Sequence, residues 1–161
     1  MRSRNYCPFC GSTSLSPLKS DDGIKCHQCG EVVYFNSKPS ATGVFHKERK
    51  VLLVRDLSNS GWDLPGGFLN HGESPEIGLK REIREELGVE IEISGIKDAI
   101  VDVYGDQGEF SLNLFYEIES FHGEITPLNE IVEAEWFSLD DLPHLEYLSI
   151  TTFFRKFFLA S

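Results

Sequence analysis

The chain has 161 residues, 40% hydrophobic and 25% charged, enough for one compact domain with a real core plus a small appendage, and too apolar for a disordered polymer. Acidic residues outnumber basic ones 26 to 15, a formal charge of −11. That balance argues against a general nucleic-acid or anionic-membrane binder, which needs a basic surface, and it repels a polyphosphate ligand unless cations bridge the two. No apolar run approaches the ~20 residues needed to span a bilayer. Met1-Arg2-Ser3-Arg4-Asn5 leads directly into Tyr6-Cys7-Pro8 without an apolar signal core, so a cytoplasmic location without a membrane partner is expected.

The first chemical feature is a set of four cysteines. Cys7 and Cys10, then Cys26 and Cys29, form two C-x₂-C pairs with the spacing of a four-thiolate zinc site. Glycine follows each pair, at Gly11 and Gly30, where the chain can curl its N–H groups toward sulfur. Two disulfides are the competing reading, and a cytosolic setting disfavours them. His27 lies between the second pair and is a bystander once four thiolates are supplied. Some forty residues are too few for an independent core, so Zn²⁺ supplies much of the stability of this segment, and a closed site is structural rather than catalytic. The segment resembles a zinc ribbon. Its slight basic excess, Arg2, Arg4, Lys19, Lys25 and Lys38 against Asp21, Asp22 and Glu31, is too small to argue nucleic-acid binding.

Ser37-Lys38-Pro39-Ser40 reads as a junction, giving a module over 1–38 and a larger domain over 39–161. Ala41–His46 and Val51–Val54 read as two neighbouring strands or a hairpin around a charged turn, with Leu52 and Val54 on one face. Trp62-Asp63-Leu64 is a short strand that runs into the loop signal Pro65-Gly66-Gly67. The main helix follows. Ser74 suits its N-cap, Pro75 its first position and Gly88 its left-handed stop, with Ile77, Leu79, Ile83 and Leu87 as the apolar face. Strands are expected at Val89–Ile93, Ala99–Tyr104, Phe110–Ile118 and Ala134–Phe137. Leu139–Pro143 reads as a turn or short helix, and Thr151–Leu159 as a helix docked through its phenylalanines.

Within the main helix, Glu82, Glu85 and Glu86 fall in one turn just after a glycine-rich loop. Residues three and four apart share a helix face, and three bare carboxylates there repel one another. A hard divalent cation reverses that cost, and Mg²⁺ usually binds through a few carboxylates plus substrate phosphates.

As a pattern, the stretch from Gly67 to Val89 is G-x₅-E-x₇-R-E-U-x-E-E-x-G-U, where U is a bulky aliphatic residue. Gly67, Glu73, Arg81, Glu82, Ile83, Glu85, Glu86, Gly88 and Val89 fill its fixed positions. It resembles the Nudix hydrolase box, and with the ribbon before it the chain resembles the NADH pyrophosphatase branch of that superfamily. The resemblance implies an α+β fold, an α/β/α sandwich around a mixed sheet. It implies Mg²⁺ or Mn²⁺ held by Glu82, Glu85 and Glu86 with the carbonyl of Gly66. It also implies that Arg81 pairs with Glu85, that Glu73 fixes the loop, and that water attacks a pyrophosphate. The proton acceptor is Glu82, Glu85 or a distal glutamate, with Glu130 the first choice and Glu133 the reserve.

Substrate choice is less legible. The S-Q-P-W-P-F-P motif of the NADH pyrophosphatases is absent, since the corresponding region reads Ile96 to Tyr104 without it. Tyr104, Phe45 and Phe115 are candidates for stacking on a base, against core packing as the plainer reading. The expectation is a metal-dependent pyrophosphohydrolase of a small nucleotide substrate such as ADP-ribose, NADH or FAD. The alternatives are an idle nucleotide sensor or adaptor that keeps the fold, and removal of nucleotide caps from RNA, which the charge speaks against. The family's habit of dimerising makes a homodimer a further expectation.

Overall fold

A computed structural model describes residues 5–20, 22–105 and 108–159, so Met1–Arg4 and Asp21 of the readings above lie outside it. The chain divides into two compact units, Met1–Ser37 and Lys38–Ser161. None of the helices described is long and apolar enough to cross a membrane.

The first unit is a three-stranded antiparallel sheet of β1 (Leu15–Pro17), β2 (Gly23–Cys26) and β3 (Val32–Tyr34). Both cysteine turns close in the same way. Gly11 N–H donates to the Cys7 carbonyl and Gly30 N–H to that of Cys26, at 2.9 and 3.1 Å. Both glycines are left-handed, with φ of 73° and 82°, a region that strains other residues.

The second unit joins two sheets and two helices. Its strands are β4 (Lys38–Val44), β5 (His46–Lys47), β6 (Lys50–Asp56), β7 (Gly66–Phe68), β8 (Glu90–Tyr104), β9 (Glu109–His122) and β10 (Ile131–Ser138). The helices are α1 (Pro75–Leu87) and α2 (Leu148–Phe157). One sheet runs β10-β6-β5 and is antiparallel. The other runs β7-β4-β9-β8 and is mixed, because β4 lies parallel to β9.

The alternation of β6 explains the layers. Leu52 and Val54 join a core with Leu79, Ile83 and Leu87 of α1, while Val51 and Leu53 join a second core with Ile150, Phe153 and Phe154 of α2. A strand buried on both faces needs an unbroken apolar run rather than alternation, and Val51–Val54 supplies it. The result is the expected mixed α+β sandwich.

Some sequence expectations are corrected. The Ala41–His46 segment is not one strand beside β6. β4 ends at Val44 in the mixed sheet, and only His46–Lys47 turns back onto β6. The strands expected at Val89–Ile93 and Ala99–Tyr104 run together as one long strand, β8, which starts at Glu90 and whose register shifts at Ile93, Gly95 and Asp98 absorb the irregular residues between them. Ile77 is 63% exposed and not part of the apolar face. It sits in the first turn of α1 on the side away from Leu79, Ile83 and Leu87.

Candidate active site

α1 carries the acidic cluster. Ser74 caps it through Ile77 N–H, Pro75 opens it, and Gly88 ends it at φ 70°. The apolar side with Leu79, Ile83 and Leu87 faces the core, which turns Glu82 and Glu86 toward the loop that precedes the helix and leaves Glu85 more exposed beside Arg81. That loop is built to receive them. Gly66 N–H donates to Glu86 Oε2 at 2.9 Å. A Cβ at Gly67 would lie 2.5 Å from Glu82 Cδ, and one at Gly66 would lie 2.2 Å from the Ala41 carbonyl oxygen. The two glycines leave the space that the carboxylates and β4 occupy.

Arg81 holds the other side. Its guanidinium donates through Nε and Nη2 to both oxygens of Glu73 at 2.9 Å, through Nη1 to Glu82 at 2.7 Å and to Glu85 at 3.3 Å, and to the Phe68 carbonyl at 3.2 Å. The pairing expected with Glu85 is therefore the longest ion pair in a network centred on Arg81. Glu73 also accepts from Asn70 N–H at 2.8 Å. Arg81 first, and then Asn70, hold the Glu73 carboxyl down to about 2. The loop-fixing role expected for Glu73 matches this geometry.

The carboxylates behave oppositely. Glu86 is 7% exposed, and burial pushes its carboxyl up to about 9, against the Gly66 N–H, with Glu82, Asp63 and Glu130 adding repulsion. Glu82 is raised for the same first reason, against Arg81. An enclosed carboxyl without a nearby cation of its own is unstable as an anion. A divalent cation would supply the missing charge, so this donor set of hard oxygens fits Mg²⁺ or Mn²⁺.

The distal glutamate reaches the same place. Before β10, Thr126 and Leu128 N–H donate to the carbonyls of Leu87 and Glu86 at 3.0 and 2.8 Å, and Asn129 Nδ2 donates to that of Glu85 at 2.7 Å. The open carbonyls at the end of α1 thus dock the loop that carries Glu130. Glu130 lines a cleft of about 330 Å³ together with Gly66, Gly67, Phe68, Glu86 and Tyr104. Glu133 instead pairs with Arg55 across β6 and β10, so the reserve candidate is engaged elsewhere.

The three aromatic candidates separate. Tyr104 lines the cleft beside Phe68, with ring centroids 5.0 Å apart, and donates its hydroxyl to Glu109 at 2.6 Å. Phe115 is 0% exposed and stacks on Phe153 at 4.5 Å, forming cleft wall rather than an open ring face. Phe45 is a core residue packed on Phe121, away from the cleft, and its sequence assignment to substrate is not supported. Sequence reasoning missed Ser40, Asp63, Asn113, Tyr147 and Ser149, which also line the cleft. The signal available was Asn113, a polar residue inside the apolar run from Leu112 to Phe115.

In the first unit the four sulfurs converge. All lie within 4.8 Å of one another, with Cys7–Cys29 and Cys10–Cys26 both at 3.7 Å, and none is in a disulfide. Tetrahedral zinc with Zn–S near 2.3 Å requires sulfurs about 3.8 Å apart, so the cluster fits that ion.

Residues 37–157 match the model of the NUDIX domain, and the chain belongs to that family. Its relatives include the NAD-capped RNA hydrolase NudC of Pseudomonas aeruginosa strain LESB58, 36% identical over 150 residues, which cover 89% of this chain and 51% of that one. The ADP-ribose pyrophosphatase of Methanocaldococcus jannaschii is 27% identical over 118 residues, 71% of this chain and 70% of the relative. The MutT NUDIX hydrolase of Burkholderia pseudomallei superposes with a TM-score of 0.66 at 25% identity, covering 73% of this chain and 95% of the other. The chain spans about half the length of the NudC relatives it matches, 51% for the one named here.

Proposed function

We propose that this chain is a divalent-cation-dependent pyrophosphohydrolase of nucleoside diphosphate derivatives, with residues 1–38 as a zinc module and 39–161 as the hydrolase domain. The observation that carries the reading is that Glu86 of the helix and Glu130 of a distant loop line one cleft, with Glu82 packed against Gly67 of its wall. Glu82, Glu85, Glu86 and the Gly66 carbonyl would hold Mg²⁺ or Mn²⁺, and Cys7, Cys10, Cys26 and Cys29 would hold Zn²⁺. When bound, the catalytic cations neutralise charge on the pyrophosphate and lower the pKa of water. Glu130 accepts the proton of the attacking water, since it enters the cleft from outside the helix. Arg81 is a positioning residue that orients Glu82 and Glu85. A four-thiolate zinc site suits a reducing, cytoplasmic setting.

A screen of ADP-ribose, NAD⁺, NADH, FAD and diadenosine polyphosphates with Mg²⁺ or Mn²⁺ tests this. Wild-type turnover is expected on at least one of them, and loss on the order of 10³-fold in Glu82→Gln and Glu86→Gln with the fold intact. Near-normal turnover in both variants overturns the assignment, and nucleotide binding without hydrolysis favours the sensor reading. The 36% identical relative named for NAD-capped RNA supports capped RNA as a second substrate class. A salt-sensitive preference for capped RNA over the free dinucleotide would select it.

A further inference from the structure

At Phe45 the chain leaves the mixed sheet and crosses to β5, and a groove of about 740 Å³ opens there. It shares no lining residue with the carboxylate cleft. Phe45 and Ile118 are buried and form its floor, while Phe121 and Trp136 form its walls and are 37% and 36% exposed. Phe121 is held edge-on against Phe45 at 5.7 Å. Both wall rings keep free surface, and an open aromatic face receives a flat heterocycle by stacking. The rim carries uncompensated charge. Lys47 and Lys50 are register partners in the β5–β6 hairpin, so they stand opposite one another on one face, where like charges repel. Trp136 is the partner of Leu52, two residues from Lys50, which puts it on that same face. Among the described residues of the second unit, every lysine and arginine other than these two and Arg155 is in an ion pair. Glu48 in the turn and Glu119 on β9 also line the groove, beside Ser120, yet neither forms an ion pair with the two lysines. His46 is engaged with the Phe158 ring at 4.9 Å.

We propose that this groove binds a nucleoside monophosphate, at a site separate from the carboxylate cleft. Two ammonium groups that repel one another attract a phosphate, for which lysine serves as a point charge. The Trp136 and Phe121 rings offer the base a stacking surface. Glu119 and the Ser120 hydroxyl supply acceptors for ribose or amino hydrogens, which a simple aromatic anion would not use. The volume falls within the range of small-ligand pockets. In a chain of formal charge −11, the lysine pair gives an anion a place to approach without a bridging cation. The proposal does not depend on hydrolysis at the cleft.

The test is an NMR titration of the whole chain with AMP in chelator, where the carboxylates of the cleft repel anions. AMP should shift the Trp136 indole and the amides of residues 46–50 and 118–121, with a Kd in the millimolar range or below. Ribose 5-phosphate and adenosine should each bind about tenfold more weakly. Trp136→Leu should remove the advantage of AMP over ribose 5-phosphate. The double variant Lys47→Ser, Lys50→Ser should remove its advantage over adenosine, and its exposed positions keep the test decisive where Trp136→Leu disturbs folding. Shifts confined to Gly66–Phe68, or no shift at about 10 mM AMP, would overturn the site. Equal binding of AMP and inorganic phosphate would do so too, as would unchanged AMP binding in both variants. A failed hydrolysis screen would overturn the proposed reaction and leave this comparison standing.

Discussion

The two candidate metal sites pose opposite problems. In the first unit, four sulfurs already stand at zinc spacing, each placed by a short local turn. In the second, the carboxylates come from α1 and from a loop some forty residues away. They are kept together by Arg81, by Gly66 N–H and by room left at Gly67. Local ligands make a closed structural site. Carboxylates gathered over long sequence distances, and left short of positive charge, would make an open one, on which the proposed charged substrate would complete the set.

The comparison can be broken most sharply at the cysteines. Stripping zinc should abolish amide-exchange protection in β1 to β3 and leave that of α1 and β6 in place, since the small unit has no core of its own. Persistent protection at Gly23–Cys26 without metal would make the thiol cluster incidental. At the other site, Gly67→Ala should lower turnover about 10²-fold by displacing the Glu82 carboxylate, with melting temperature little changed; wild-type turnover would show that Glu82 has freedom to move. The smallest effect concerns pH. The folded Glu86 carboxyl, at about 9 against an ordinary 4.5, favours folding below 4.5 and loses that contribution as pH rises through 9. Glu82 shifts the same way, while Glu73, held down to about 2, loses its contribution only in strong acid. In chelator the melting temperature should therefore fall between pH 4.5 and 9. Mg²⁺ should reverse the fall at the high end, and Glu86→Gln should flatten it; an unaltered slope in that variant would remove Glu86 as its source.

Much of this was legible where the determinants are local. Ser74, Pro75 and Gly88 bound α1 as the sequence implied, because caps depend on a few adjacent residues. The box glutamates and the cysteines share that property. For Phe45 the sequence left stacking and core packing both open, because burial depends on which sheet the neighbouring strands join, and no short pattern states that β4 and β6 part company. The cleft residues Ser40, Asn113 and Ser149 were invisible for a related reason. They lie on two strands and a helix, with no spacing to announce them, and only the polar break at Asn113 hinted at them.

The hydrogen bonds from Thr126, Leu128 and Asn129 to the last carbonyls of α1 carry a kinetic implication. Asn129 and Glu85 are 44 residues apart, so loop closure must come before they can form. The helix can assemble early from nearby contacts, whereas the distal glutamate arrives only when the strand behind it has docked. On the role proposed for Glu130, competence for chemistry would then be gained late, in the same event that closes the chain, and a partly folded intermediate would carry the helix carboxylates without their opposing partner.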